Sequence, residues 1–259
     1  MKTSCFFLML LTGIFWACTN PGLNKKFSLK NIPPNLMKKE GNEIFQYWEF
    51  KNVPNLWESN IESPVSLKLY KDSLEIKLSR DTLKNLIQKL AFQNKTFKWV
   101  NTSNGDSINA QLVHSNKIGK IKPTNNLEAQ LLDFQISRYP LLSHPTEFHG
   151  FILKHDSLNL IRVYFAGSDQ PWPPKPNLIL EALAADFKNG WKLTFHLHNH
   201  YEPQANGYLG ILAPSTADAQ YYLFLADEFG LENALITNGF HTLELKRSEL
   251  SELKLPPNN

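Results

Sequence analysis

The chain contains two cysteines, Cys5 and Cys18, and their positions limit how the fold can be held together. Cys5 opens an apolar run that extends to Ala17 (CFFLMLLTGIFWA) and follows the charge of Lys2. One positive residue, a short hydrophobic stretch and a small residue before a break are the parts of a secretory signal that is removed from the mature protein. The run is 13 residues long, whereas a membrane-spanning helix needs about 20, so a permanent anchor helix is not expected. Once Met1–Ala17 is removed, Cys18 is the remaining cysteine and no internal disulfide can form. The mature chain of roughly 240 residues, suited to one large domain or two small ones, must then be held by its core, or by its core plus a metal. An apolar content of 42% with 12% aromatic residues is enough for such a core. The net charge of +3 comes without a basic cluster, so nothing points to nucleic acid as a partner.

Ala17-Cys18 resembles the processing site of bacterial lipoproteins, in which the cysteine is acylated and becomes the new N-terminus. Phe15 and Trp16 stand where that family usually has Leu and a small residue. The resemblance implies lipidation of Cys18 and a membrane-anchored protein of the bacterial cell envelope (outer membrane, periplasmic or surface side). Residues 18–42 then read as a polar, proline-containing tether.

A first α+β region is expected over residues 43–125. Val65–Tyr70 and Ser73–Leu78 alternate apolar and polar residues around Lys71-Asp72, which predicts a hairpin. Ser79 reads as an N-cap before the helical spacing of Leu83, Leu86, Ile87, Leu90 and Ala91. Thr96–Val100 and Ile108–Val113 flank the turn-rich NTSNGDS and suggest a second hairpin. The role of this region is not legible from its residues. In 126–259, helical patterns cover Leu127–Tyr139, Leu178–Lys188 and Thr216–Phe229. Strand patterns cover Phe148–Leu153, Leu158–Ala166, Trp191–His198 and most of Ala234–Leu245. Strands and helices mix without regular alternation, so the fold class is α+β.

The chemistry concentrates in KLTFHLHNHYEP, residues 192–203. Side chains two apart on a strand share a face, so His196, His198 and His200 can all project to one side. An exposed strand end would account for one histidine; three alternating ones point to a metal, and zinc accepts two or three histidines with a carboxylate. Further on, Ser215 and Asp218 form a Ser-x-x-Asp capping pattern at the start of a helix, where a carboxylate is also well held for ligation. Upstream, Glu147 sits just before an apolar strand, flanked by His144 and His149, which read as surface histidines. His241 reads as a structural or rim residue, and Trp172 belongs either to a surface loop or to a rigid groove wall.

Taken together, Glu147 with Gly150, His198-Asn199-His200, and Ser215 with Asp218 resemble the JAMM (MPN-positive) zinc metalloprotease family and its RadC-like relatives. The resemblance covers about half the chain, from Asn126 to Leu245. It implies a mixed β-sheet flanked by helices, with Zn2+ held by His198, His200 and Asp218. It further implies that Glu147 acts as the catalytic base and that Ser215 stabilises the oxyanion. Three departures stand out: the segment between His200 and Ser215 is long, Tyr201 replaces a usual proline, and His196-Leu197-His198 competes as the ligand pair. The pair His198 and His200 is preferred because His196 lies further back in the strand.

The resemblance thus implies a lipid-anchored metallopeptidase acting on a peptide or protein substrate of the envelope. The alternative is a non-enzymatic envelope lipoprotein that uses such a fold to bind a partner. The anchoring expectation is checked by mass and fractionation: the mature protein should begin at an acylated Cys18, and Cys18→Ser should leave the membrane fraction. A serine variant that stays membrane-bound would exclude anchoring through this residue.

Overall fold

A computed structural model describes residues 27–98 and 104–257. Met1–Ala17 and Cys18 lie outside the described residues. Eight strands form one sheet in the order β1-β2-β5-β4-β6-β7-β8-β3. They are β1 (Asn35–Glu40), β2 (Glu43–Lys51), β3 (Lys120–Pro123), β4 (Phe148–His155), β5 (Leu160–Gly167), β6 (Lys192–Asn199), β7 (Asn233–Thr237) and β8 (His241–Lys246). Every neighbouring pair is antiparallel except β6 and β7. The helices are α1 (Val65–Leu78), α2 (Arg80–Ala91), α3 (Gly105–His114), α4 (Asn126–Arg138), α5 (Asn177–Lys188) and α6 (Thr216–Phe229). No helix among the described residues is long and apolar enough to cross a membrane.

The central strands are apolar on both faces because helices cover both faces. On one side Ile161, Val163 and Phe165 of β5, with Phe148 and Ile152 of β4, pack against Leu131 and Leu132 of α4 and Leu67 and Leu74 of α1. On the other, Phe151, Tyr164 and Ile236 pack against Leu183 of α5 and Ala219, Tyr222 and Leu225 of α6. Asp186 of α5 accepts a hydrogen bond from the Tyr164 hydroxyl at 2.7 Å and pairs with Arg162, tying that helix to β5.

The first expected hairpin is a single helix, and the second arm of the other, Ile108–Val113, lies within a helix. Val65–Leu78 satisfies a period of two and a period of 3.6 equally well, and burial decides between them. Leu67, Tyr70 and Leu74 face α4, while Val65, Leu69 and Ile76 stay exposed. The amide of Leu67 donates to the buried carboxylate of Asp133, fixing where α1 begins. In the second case Asn104-Gly105 is a helix start, not a hairpin turn: the Asn104 side chain accepts the amide of Ser107 at 2.8 Å. Residues 99–103 of that expected hairpin lie outside the described residues. Ser79 does cap α2, as its sequence position predicts.

The described part of the expected tether, from Phe27 onward, packs on the fold. Leu29 is buried with its amide on Gln130, the ring of Phe27 lies against Phe50, and Asn35–Glu40 pairs with β2 as an edge strand. The boundary expected at 125/126 falls inside a continuous sheet, since β2 pairs with β5 and β3 with β8. Such pairings join segments far apart in sequence, and local patterns carry no trace of them.

The packing makes Phe165 a sensitive position. Its ring is fully buried and meets Trp48, Phe134 and Phe148 at centroid distances of 6.2, 5.0 and 5.1 Å. Phe165→Ala should cost about 3–5 kcal/mol in chemical denaturation, and Ile76→Ala, on the exposed face of α1, about 0.5 kcal/mol or less. Equal losses for the two would mean that the sheet–α4 interface is not the core assigned here.

Candidate metal centre

The parallel pairing of β6 and β7 requires a crossover, and α6 supplies it. The N-terminus of α6 is thereby returned to the end of β6, where His198 and His200 project. Ser215 is the N-cap: its hydroxyl oxygen accepts the amide of Asp218 at 3.1 Å, and its own amide and hydroxyl donate to Asp218 Oδ2, each at 2.8 Å. The other oxygen, Oδ1, faces His198 Nε2 at 3.5 Å, and Oδ2 faces His200 Nε2 at 3.3 Å. The two histidine Nε2 atoms are 2.9 Å apart. Oδ2 thus serves both the helix cap and His200, while Oδ1 takes no part in the cap and faces His198.

The ligand atoms of His198, His200 and Asp218 lie within 4.8 Å of one another, and this group could hold a metal ion. A tetrahedral ion with bonds of about 2.0–2.2 Å has ligand edges of about 3.3–3.6 Å. Each histidine has an Asp218 oxygen at such a distance, Oδ1 for His198 and Oδ2 for His200. The histidine–histidine edge is a few tenths short, a gap that a small ring rotation opens. The outer nitrogens are held as a metal site requires. His200 Nδ1 lies 3.0 Å from the carbonyl of Ile211, and His198 Nδ1 lies 3.0 Å from the hydroxyl of Tyr222.

Glu147, His200, Ser215 and Asp218 line one cleft of about 390 Å³, together with Tyr201 and Glu202. Asp106 and Ser107 of α3 form its far wall, so the first half of the chain contributes to the site. Asp106 accepts the amide of Thr216 at 2.7 Å and joins the starts of α3 and α6. Burial pushes the Glu147 carboxyl up to about 7; His200 opposes this, and Asp218 and Glu202 reinforce it. Burial disfavours the charged form of His200, but the hydrogen bond and charge of Asp218, helped by Glu147, lift it to about 9. Burial lowers His198 to about 4. Burial would raise Asp218, yet the facing imidazoles and Ser215 hold it well below the usual carboxylate range.

No family model, curated protein or solved structure matches this chain. The site therefore has to be read from its own geometry. His196, the competing ligand, shares the sheet face but is fully buried one step back, with its Nε2 2.9 Å from His149 Nδ1 and away from the converging group. His149, read as a surface histidine, is largely enclosed between His196 and the ring of Tyr221. His144 is a surface residue, hydrogen-bonded to the carbonyl of Asp169. His241 opens β8 and Trp172 is exposed; neither lines the cleft. The sequence reading missed Tyr222 and the α3 wall. Tyr222 had a signal, standing four residues after Asp218 and hence on the same helix face. The α3 wall had none.

The long segment after His200 has a function here. It folds back through a bridge between Tyr201 and Leu209, so that the carbonyl of Ile211 reaches His200. This return requires Gly210, because a Cβ there would lie 2.2 Å from the carbonyl carbon of His200. Gly210→Ala should therefore displace His200 and weaken divalent-metal binding at least about tenfold, with a stability loss of about 1–3 kcal/mol. Metal titration and thermal unfolding read the two effects. Wild-type metal affinity in this variant would show that the return loop does not position His200.

Proposed function

We propose that this chain is an exported, lipid-anchored zinc metallohydrolase of JAMM-like fold that cleaves a peptide or isopeptide amide bond in the cell envelope. The observation that carries the reading is the convergence of His198, His200 and Asp218 on one point of a cleft that also contains Glu147. Two imidazoles and one carboxylate are a donor set suited to zinc with a position left open. A bound zinc would supply Lewis acidity, lowering the pKa of water and polarising the scissile carbonyl.

The protein's own groups supply the rest. Glu147, with a carboxyl near neutrality, is tuned to take a proton from the attacking water and return it to the leaving amine. Ser215, on the cleft wall, is placed to donate its hydroxyl to the developing oxyanion once a substrate draws it from Asp218. Asp218 is anchored by the cap of α6 and keeps its negative charge beside the imidazoles. The cleft has both a base and a ligand set, which favours an enzyme over a pure binding module.

The test contrasts the two carboxylates. Glu147→Gln should keep about one zinc per chain, as a single mononuclear site requires, and lose about 10²–10⁴ in amide hydrolysis. Asp218→Asn should lose both metal and activity, and His196→Ala should keep the metal. Full turnover by Glu147→Gln, on a substrate the wild type cleaves, would sink the mechanism.

A further inference from the structure

Both histidines of the triad have an outer nitrogen, Nδ1, held by a partner, and the two partners differ in kind. His200 meets a backbone carbonyl, that of Ile211, which only accepts. This fixes a proton on Nδ1 and turns Nε2 toward Asp218 and His198. His198 meets the hydroxyl of Tyr222, which both donates and accepts. Tyr222 and His198 are almost wholly withdrawn from solvent, so water cannot replace the hydroxyl. Tyr222 belongs to α6, one turn after Asp218, and a single helix thus delivers a ligand carboxylate and the group that orients an opposing imidazole.

Without a metal, the Nε2 atoms of His198 and His200 are 2.9 Å apart, so one of them must carry a proton toward the other. His200, held at Nδ1 by Ile211 and facing Asp218 Oδ2 at 3.3 Å, can carry it, and His198 Nε2 then accepts. That leaves the His198 proton on Nδ1, where the Tyr222 hydroxyl accepts it at 3.0 Å, and a metal bound through His198 Nε2 calls for the same tautomer. We propose that Tyr222 is a positioning residue for the metal centre: its hydroxyl accepts from His198 Nδ1–H and holds the ring with Nε2 turned to the ion's position. The inference rests on the metal-site reading above. The adjacent Tyr221 is the internal control, since its buried hydroxyl has no hydrogen-bond partner among the described residues.

Zinc affinity, measured by chelator competition on the soluble chain lacking its leader, tests this without reference to catalysis. Tyr222→Phe keeps the ring in place and should weaken zinc binding about 10–100-fold, the usual cost of losing a partner behind a ligand. Tyr221→Phe should change it less than about twofold. Nitrogen NMR of the zinc-loaded wild type should show His198 bound through Nε2 with its proton on Nδ1, a readout that survives if the variant fails to fold. Wild-type affinity in Tyr222→Phe, or a zinc-loaded His198 without a proton on Nδ1, would overturn the role of Tyr222. A wild type that takes up no zinc would instead overturn the metal-site reading itself.

Discussion

Two strands that run the same way in a sheet cannot be joined by a tight turn, and β6 and β7 run the same way. The chain must leave the end of β6, pack a helix on the sheet and re-enter alongside. The meeting of the helix cap with the strand histidines follows from that excursion. It carries Ser215 and Asp218 back to the strand end that bears His198 and His200. The helix start then needs partners for its free amides, and Ser215 with Asp218 supplies them reciprocally. A carboxylate that is already fixed as a cap gives up little further freedom when it also faces two imidazoles.

The same face gathers four imidazoles in a low-dielectric setting. Burial lowers His149 to about 3, lowers His198 and drives His196 well down, so all three favour the neutral form. His200 alone is raised, because Asp218 and Glu147 face it. The neutral His196 ring packs edge to face with Phe151, Tyr221 and Tyr222 and acts as polar core, which explains how the sheet buries it. The division between candidate-ligand and core histidine is made by reach: His198 and His200 stand at the end of the strand opposite the cap of α6, and His196 stands behind them.

Much of the second half of the chain was legible in its residues. The helix at Thr216–Phe229 carries its own start and stop, Ser215 and a left-handed Gly230, and its bounds follow directly. Alternating histidines pointed to a shared face, and Ser-x-x-Asp to a held carboxylate; the folded chain brings these together. The first half was less legible because its local signals are ambiguous. Val65–Leu78 fits two periods, and Asn104-Gly105 serves a turn or a cap equally. The choice is made by α4 and α6, elements that no local window contains. The pairing of β2 with β5 and of β3 with β8 is invisible for the same reason.

The wall formed by α3 has a dependence of its own. Asn109 is clasped from both sides by the backbone of Lys254: its amide donates to that carbonyl at 3.1 Å, and its oxygen accepts that amide at 2.7 Å. These partners are 145 residues apart. Contacts that close so long a loop cannot form until the chain is available through Lys254. The strand histidines and the helix cap can therefore assemble while the cleft still lacks one side. The enclosure is finished only when the segment around Lys254 reaches α3, and the shape of the pocket then depends on a contact that lies outside it.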